Sequence, residues 1–379
     1  MIHRRAVFFD RDGTLLVPQA EYISDPDQVV FYKGVPEALA LLKERGLRRI
    51  VVTNQAGVGR GVLSEMDLLR AHNHMKRVLQ EQDADLDAVF YAPHFPASAR
   101  PEHRRGAAER KPSTQLFEQA ALRYQLSLKD SFVVGDRPED LQAARNIGAK
   151  AVLVRTGKGA ETERAAGGPA PDFVGDDAAA AVVWICRQVG DMPLGGKKIL
   201  FVLAGRDFQE REYLAPRLRL EGWGADIAVA GPSREECVGA QGLRIRPDVT
   251  HADAGDEFDA VVFIGGEGAR ALAGCKRCQA LARRAYESKR VVAAICVAPS
   301  ILANAYLLSR KTAVAWHTEL SNLRKMGARI SAHPVARDGA IVTAAGPRDA
   351  VGFADAIRAA LLGEKEIERT VAARAETTS

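Results

Sequence analysis

Residues 8–14 read FFDRDGT, and more of the architecture follows from this stretch than from any other. The apolar residues 6–9 are typical of a buried strand, which ends in Asp10 and Asp12 before the chain turns at Gly13. Two carboxylates this close repel each other unless a cation lies between them or one of them holds a proton. Asp10 could attack phosphorus while Asp12 handles the proton of the leaving oxygen, so the stretch predicts phosphoryl transfer. An ordinary Asp-rich turn is the alternative, because Asp and Gly are common in turns for local hydrogen-bonding reasons.

Three later stretches favour the chemical interpretation. Residues 50–55, IVVTNQ, are typical of a buried strand ending in a hydroxyl and two amides, which can hold a phosphoryl oxygen. Residues 110–112, RKP, supply fixed positive charge, and residues 131–140, SFVVGDRPED, end another apolar strand in acids suited to Mg²⁺. Strands alternate with helix-like segments here, and ligands bind where the strands of an open parallel sheet end. The sequence therefore predicts a phosphoryl and magnesium site at that edge.

With these four motifs, residues 1 to about 188 resemble the haloacid dehalogenase superfamily, and within it the branch of heptose-bisphosphate and histidinol phosphatases. The resemblance implies Asp10 as nucleophile, Asp12 as general acid and base, Thr53 and Lys111 as phosphoryl ligands, and Asp10, Asp136 and the Asp12 carbonyl as Mg²⁺ ligands. It also implies Asn54, Arg60 and Arg110 as contacts to the rest of the substrate, and Asp140 as support for the metal. Ordinary surface charge is the alternative for Arg60, Arg110 and Asp140.

The sequence departs from that branch at a loop that usually binds zinc through Cys-x-His and Cys-x-Cys. The matching residues 92–94 and 107–109 read APH and AAE, so only His94 remains. Because the thiolates that close a tetrahedral site are missing, zinc is not expected. A site made from His94, His103 and Glu109 is the alternative. In the resembled family this loop shapes the leaving-group pocket, so its loss affects the prediction of the substrate more than that of the chemistry.

A chain of 379 residues, 47% of them hydrophobic, has enough material for two cores. A helix-like segment ends near residue 187, a stretch rich in Gly and Pro follows, and a new apolar strand begins at residue 198. We predict the following organisation: a phosphatase domain at 1–189, a linker at 190–197, a second α/β domain at 198–363 and a tail at 364–379.

The net charge of +5 is mild and comes without basic stripes studded with aromatic residues, so no nucleic-acid partner is expected. The longest apolar run, 291–308, is interrupted by Pro299, Ser300 and Asn304, and no membrane partner is expected. The N-terminus leads straight into the first strand, so a signal peptide is not expected. Five scattered cysteines are typical of reduced thiols in a cytoplasm. Cys275 and Cys278 form one Cys-x-x-Cys inside an apparent helix, and no second pair accompanies it to favour a redox or metal role.

Residues 290–299, RVVAAICVAP, run from a buried strand into a tight turn before a helix-like segment. Cys296 on such an elbow would be exposed at the top of the sheet, near backbone N–H groups that can bind an oxyanion. The helix N-terminus is expected to lower the pKa of the thiol. A buried structural cysteine is the alternative.

Through residues 204–216, 258–266 and the Cys296 elbow, residues 198 to about 363 resemble the PfpI-like superfamily, which includes the Parkinson-disease-associated deglycase. The resemblance implies that Glu212 shares a proton with the Cys296 sulfur, that Gly265 and Gly266 form an amide-lined pocket, and that His317 lies near the cysteine. Val297 replaces the histidine of the protease-like members, so peptide hydrolysis is not expected. Deglycase or glyoxalase-like chemistry remains open, as does a non-catalytic dimerisation or sensing module.

The expected fold is α/β, with two tandem doubly wound parallel-sheet domains and ligand sites at the carboxyl ends of the strands. The expected function is a Mg²⁺-dependent phosphomonoesterase that forms an aspartyl-phosphate on Asp10. Its expected partner is a small phosphorylated metabolite, with a heptose bisphosphate as the first choice. A homodimer through the second domain is one option.

Overall fold

The computed structural model describes residues 4–95 and 109–364. The chain divides into two compact units, Met1–Asp191 and Met192–Ser379. Among the described residues, every helix is too short or too polar to cross a membrane.

The first unit alternates strands and helices. Its strands are β1 (Ala6–Phe9), β2 (Arg48–Asn54), β3 (Ala88–Ala92), β4 (Phe132–Gly135), β5 (Lys150–Val154) and β6 (Phe173–Gly175). Its helices are α1 (Val35–Glu44), α2 (Ala56–Gly59), α3 (Glu65–Gln80), α4 (Gln115–Tyr124), α5 (Pro138–Asn146), α6 (Gly159–Arg164) and α7 (Ala178–Val189).

The six strands form one sheet in the order β3-β2-β1-β4-β5-β6, and every neighbouring pair is parallel. The chain starts in the middle with β1, runs to one edge and returns to the other side through β4. All four residues of β1 and of β4 are buried, because strands in a parallel sheet are covered on both faces. On one face, Phe8 packs edge-on against Phe117 of α4, with ring centroids 5.1 Å apart. The order reverses between β1 and β4, and that is where such sheets bind ligands.

The second unit follows the same plan with more short strands. They are β7 (Lys198–Val202), β8 (Arg206–Phe208), β9 (Asp226–Gly231), β10 (Cys237–Gly239), β11 (Arg244–Ile245), β12 (Val249–Thr250), β13 (Ala260–Phe263), β14 (Val291–Ile295), β15 (Thr312–Ala313), β16 (Arg329–Ile330), β17 (Val335–Asp338) and β18 (Ile341–Ala344). The helices are α8 (Glu210–Gly222), α9 (Ala269–Ala273), α10 (Lys276–Glu287), α11 (Pro299–Asn304), α12 (Leu320–Lys325) and α13 (Ala350–Leu361).

The main sheet of the second unit has the order β12-β9-β7-β13-β14-β18-β17. Successive residues of β7 belong to two separate apolar clusters, since alternate side chains of a strand point to opposite faces: Ile199 and Phe201 lie in one, Leu200 and Val202 in the other. The predicted fold class is confirmed in both units. The one departure within the main sheet is its last strand, β17, which pairs antiparallel with β18.

The apparent helix around Cys275 is broken in the structure. Helix α9 ends at Ala273, Gly274 caps it, and Cys275 has extended backbone angles, so that α10 starts only at Lys276. Glycine is the poorest helix former after proline, which explains the interruption. The prediction of one continuous helix was wrong, and Cys275 is the residue that caps the second helix.

Candidate active site

A cleft of about 340 Å³ opens at the carboxyl ends of β1 and β2 in the first unit. Charged and amide side chains from separate parts of the chain line it: Asp10, Asp12, Glu21, Tyr22, Thr53, Asn54, Gln55, Ala56, Arg60, Arg110, Lys111, Arg137, Glu139 and Asp140. The structure therefore brings together, around one cleft, all of the site residues predicted from the N-terminal motifs except Asp136. That residue follows β4, and its carboxylate lies beside that of Asp10.

Three buried carboxylates meet at the base of this cleft. One oxygen each from Asp10, Asp136 and Asp140 lies within 4.8 Å of the others, the arrangement of a potential metal site in residues 4–95 and 109–364. Asp136 Oδ2 accepts a hydrogen bond from Lys158 N at 2.7 Å, whereas its Oδ1 is buried without a hydrogen-bond partner in the described chain. Burial and the charge of Asp10 raise the pKa of Asp136 to about 7. Such a group of oxygen donors suits a hard cation.

Lys111 places a buried positive charge against two of these carboxylates. Its Nζ lies 2.7 Å from Asp10 Oδ1 and 2.5 Å from Asp140 Oδ1, and it donates a hydrogen bond to the Val52 carbonyl at 2.8 Å. Burial alone would lower the pKa of Lys111, but the charges of Asp10 and Asp140 outweigh it and raise the pKa. The ammonium group is therefore charged beside the side chain predicted to be the nucleophile.

Asn54 holds the main chain of Lys111 in place. Its Oδ1 accepts from Lys111 N at 2.9 Å, and its Nδ2 donates to Lys111 O at 3.2 Å. Both polar groups of the amide thus engage the backbone of residue 111. The predicted contact of Asn54 with substrate stays a prediction, and the structure adds a positioning role that the sequence did not indicate.

The Asp12 side chain is held by hydrogen bonds from residues that do not belong to the cluster of three carboxylates. Arg11 Nε and Nη2 donate to its two carboxylate oxygens at 3.0 and 2.8 Å, and Gln55 Nε2 donates at 2.9 Å. Arg11 is only 1% exposed, and its Nη1 lies 2.9 Å from His72 Nε2. Burial, followed by the charge of Arg11, lowers the pKa of His72 to about 3, so the imidazole is neutral and accepts. The sequence indicated Gln55 as an amide that can hold a phosphoryl oxygen, but not its contact with Asp12. Arg11 and His72 were missed; Arg11 adjoins predicted residues, but nothing in the sequence marks His72.

Two glycines enclose the Asp136 carboxylate. Gly13 and Gly157 have left-handed backbone angles, with φ of +84° and +57°. A Cβ atom at Gly13 would lie 2.4 Å from Asp136 Oδ2, and one at Gly157 would lie 2.2 Å from the same atom. The carboxylate can occupy its position only because both side chains are absent. The sequence indicated Gly13 as a turn and gave no reason to single out Gly157.

Arginines form one side of the cleft. The Arg60 guanidinium stacks 4.4 Å from the Phe95 ring centroid, and its Nη1 lies 3.6 Å from Glu21 Oε1. Arg110 donates to the His94 carbonyl at 3.4 Å, and partial burial lowers its pKa. These cations suit an anionic substrate.

The alternative zinc site lies only partly within the described structure. His94 Nε2 is 3.9 Å from Glu109 Oε2, whereas His103 and residues 107 and 108 lie outside the described residues. The expectation that zinc is not bound therefore stays a prediction.

In the second unit, Cys296 directly follows β14 with a left-handed φ of 64°, as a strand-to-helix elbow requires. A Cβ atom at Gly265 would lie 2.5 Å from Glu212 Oε2 and 2.7 Å from Cys296 Cβ, so this glycine allows the acid and the cysteine to approach. Burial raises the pKa of Glu212 to about 8, and the carboxyl carries a proton at neutral pH. The expected exposure of Cys296 and the expected lowering of its pKa were both wrong: the residue is buried, and burial, followed by the charge that Glu212 carries once it is ionised, raises the pKa of the thiol to about 12.

The remaining predicted residues of this unit divide between the elbow and the surface. Gly266, with φ of +103°, directs its backbone N–H toward the Cys296 sulfur. Trp316 N donates to the Cys296 carbonyl at 2.7 Å, but His317 is exposed, and its ring lies 5.0 Å from that of Trp316. Glu212, Gly265, Gly266 and Cys296 are thus brought together, while His317 lies at the edge of the group. Its role in binding stays a prediction.

Two protein-family models match the chain: a HAD-hydrolase-like family over residues 108–181 and the DJ-1/PfpI family over residues 197–360. The D-glycero-β-D-manno-heptose-1,7-bisphosphate 7-phosphatase of Photorhabdus laumondii is 38% identical over 160 residues, or 42% of this chain and 84% of that relative. The enzyme of the same name from Escherichia coli K12 is 35% identical over 195 residues, or 51% of this chain and 94% of that relative.

Solved structures are similar to each half of the chain. The D,D-heptose 1,7-bisphosphate phosphatase of B. bronchiseptica, complexed with magnesium and phosphate, is 31% identical with a TM-score of 0.45, covering 48% of this chain and 99% of that one. A ThiJ/PfpI domain protein from Brachyspira murdochii is 31% identical with a TM-score of 0.43, covering 46% of this chain and 99% of that one.

Proposed function

The chain belongs, through its N-terminal half, to the HAD-type phosphatases, and from that premise we propose that it hydrolyses a small phosphorylated sugar through an aspartyl-phosphate on Asp10. One observation carries the proposal: the Asp10 carboxylate lies at the base of the cleft, 2.7 Å from the buried Lys111 ammonium. Lys111 can balance the charge of the phosphoryl oxygens, which would otherwise repel an anionic nucleophile. Asp10 then attacks phosphorus, and the bond from phosphorus to the leaving oxygen breaks.

Asp12 is proposed to supply the proton for the leaving oxygen and to take one from the water that hydrolyses the aspartyl-phosphate. Its two oxygens are oriented by Arg11 and Gln55. Thr53, buried at the end of β2, offers its hydroxyl to a phosphoryl oxygen. These roles support a two-step hydrolysis in which the same carboxyl group gives and then recovers a proton.

Mg²⁺ is the cofactor that this site fits. The donors are all oxygens, and Asp136 Oδ1 is a buried acceptor without a partner in the described chain. Asp10, Asp136 and the Asp12 carbonyl are proposed to hold the ion, with Asp140 in support. When bound, Mg²⁺ would supply positive charge to the phosphoryl group. Zinc is not expected as a structural ion.

A heptose 1,7-bisphosphate is the proposed substrate. The relatives that cover this half are named for that compound, and a cleft of about 340 Å³ suits a small sugar. Arg60 and Arg110 line it beyond the carboxylates, where they can contact a second anionic group.

Phosphate release measured over phosphorylated sugars, histidinol phosphate and nucleotides tests this proposal. We expect the highest kcat/KM for the heptose bisphosphate, loss of activity with EDTA and recovery with Mg²⁺. A higher kcat/KM for histidinol phosphate or a nucleotide would reject the substrate. No release from any compound in the presence of Mg²⁺ would reject the phosphatase function itself.

The predicted limits 1–189 and 198–363 lead to an expectation about truncation. We expect residues 1–189, expressed alone, to stay folded and to keep the phosphatase activity, because this unit has its own sheet and every proposed catalytic residue. Circular dichroism and phosphate release measured against the full chain check this. A folded but inactive fragment would mean that the second unit contributes to the site.

For the second unit, we propose that Glu212 and Cys296 act as a proton-sharing pair. Both are buried, and protonated Glu212 can donate to the sulfur or to an oxygen bound there. Deglycase or glyoxalase-like carbonyl chemistry and a non-catalytic sensing role both use such a pair. Val297 in place of a histidine disfavours peptide hydrolysis.

A further inference from the structure

The cysteines Cys275 and Cys278 lie outside the chemistry described so far. Because α10 starts at Lys276, Cys275 caps the helix and Cys278 lies one turn further along the same side. Cys278 is fully buried, whereas Cys275 is partly exposed. Residues one helical turn apart are within the separation that a disulfide can span.

A buried histidine from a different part of the chain contacts this pair. His251, in the turn after β12, has its Nδ1 3.6 Å from Cys278 Sγ and its Nε2 2.9 Å from the Leu203 carbonyl oxygen. A carbonyl oxygen only accepts hydrogen bonds, so Nε2 carries the proton and Nδ1 is the acceptor that faces the thiol. Burial lowers the pKa of His251, which keeps the ring neutral. The imidazole is therefore arranged as a base toward Cys278.

The two thiols differ in acidity. Burial alone would raise the pKa of Cys275, but the backbone N–H and the thiol of Cys278, together with the backbone and charge of Arg277, outweigh it and lower the pKa. Burial and the proximity of Cys275 raise the pKa of Cys278. One thiol is thus accessible and acidic, and its neighbour is buried, protonated and next to a base. In thiol–disulfide exchange, an accessible thiolate attacks the disulfide, and a second thiol, protonated until then, displaces the small molecule from the mixed disulfide. The difference in acidity between Cys275 and Cys278 suits them to these two roles.

We propose that Cys275 and Cys278 are a redox-active dithiol, with Cys275 as the attacking thiol, Cys278 as the resolving thiol and His251 as its base, and that a low-molecular-weight disulfide oxidises it. The Cys275 thiolate attacks one sulfur of that disulfide, a mixed disulfide forms, and the other half leaves as a thiolate that takes up the Cys275 proton. Cys278 gives its proton to His251 Nδ1 and attacks the Cys275 sulfur. The half of the small disulfide that was bound to Cys275 leaves as a thiol with that proton. Two protein thiols and one small disulfide thus become one protein disulfide and two small thiols.

Oxidised glutathione is a suitable probe, since its carboxylates match the exposed Lys276 and Arg277 that flank the attacking thiol. The reduced full-length chain is treated with it, quenched with N-ethylmaleimide at successive times and mapped by mass spectrometry. We expect a disulfide joining residues 275 and 278, while Cys186 and Cys237, which are fully buried, stay as thiols and serve as internal controls. The proposal would be overturned if Cys275 and Cys278 stayed reduced for as long as Cys186 and Cys237 do.

Three variants separate the steps. Cys278→Ser should accumulate the mixed glutathione disulfide on Cys275, and Cys275→Ser should form neither species. His251→Gln keeps a donor for the Leu203 carbonyl but has no basic nitrogen, so we expect the mixed disulfide to form at the wild-type rate and to resolve about 10²-fold more slowly. A stable mixed disulfide in the wild type would exclude Cys278 as the resolving thiol. Unchanged resolution in folded His251→Gln would exclude the histidine as the base.

Discussion

Replacing Asp10 with Asn is expected to slow phosphate release by about 10³-fold or more while leaving the fold intact. The amide has almost the same size as the carboxylate but is a poor nucleophile, so the aspartyl-phosphate cannot form. Lys111 keeps Asp140 as its ionic partner in the variant, so its buried charge is not left unpaired. The measurements are kcat with the heptose bisphosphate and the midpoint of thermal unfolding.

Asp83→Asn is the matched control for this change. Asp83 is exposed and has a left-handed φ of 58°, a conformation that Asn adopts as readily as Asp, so the same substitution should leave both activity and stability unchanged. Activity of Asp10→Asn within tenfold of the wild type would remove Asp10 from its proposed role. Loss of activity together with a large fall in the unfolding midpoint would instead indicate a structural role.

Most of the first site could be predicted because its residues lie at the ends of apolar strands. Asp10 and Asp136 directly follow β1 and β4, and Thr53 lies one residue before the end of β2. Parallel strands that are neighbours in a sheet bring their carboxyl ends to one edge. Short motifs therefore place these side chains without knowledge of the packing. The motif of residues 110–112 indicated a positive charge, but the role of Lys111 as a phosphoryl ligand could be predicted only through the family resemblance, since the residue lies on no strand.

The partners of Asp12 could not be predicted in the same way. His72 reaches the Arg11 guanidinium from the middle of α3, at a sequence separation of 61 residues. The sequence around a helical histidine does not show whether its ring is a buried hydrogen-bond acceptor or lies on the surface. Its position depends on how α3 packs against the sheet, and side-chain packing of that kind is not visible in a sequence pattern.

The second unit shows a different limit of the sequence. The elbow around Cys296 was visible, but the direction of its pKa shift was not, because desolvation depends on what covers the sulfur. For Cys275 neither the position nor the acidity was visible, because a single glycine breaks the apparent helix and leaves this residue as the cap of the next one, where its pKa is lowered. Local pattern therefore indicated the elbow at Cys296 but not the acidity of either thiol.

Gly157→Ala is expected to lower kcat about 10²-fold, although residue 157 contacts no substrate in the proposed reaction. The added Cβ would lie 2.2 Å from Asp136 Oδ2 and 2.6 Å from Gly13 Cα. The Gly13 Cα belongs to the backbone and cannot move aside as a flexible side chain can. Asp136 must therefore shift within the three-carboxylate group. The measurement is kcat over a series of Mg²⁺ concentrations, because a displaced ligand should also raise the concentration needed for half-maximal activity.

A substitution at a second glycine distinguishes the shift of Asp136 from the strain of placing alanine at a left-handed φ. Gly148 also has a left-handed φ, +72°, but a Cβ there would meet nothing within 4 Å. Gly148→Ala should cost about 1 kcal/mol in the free energy of unfolding and leave kcat and the Mg²⁺ dependence unchanged. If both variants lose activity equally, backbone strain is the cause and the enclosure of Asp136 is irrelevant. If only Gly157→Ala loses activity and needs more Mg²⁺, the absent side chain at residue 157 is what fixes the Asp136 carboxylate for the metal.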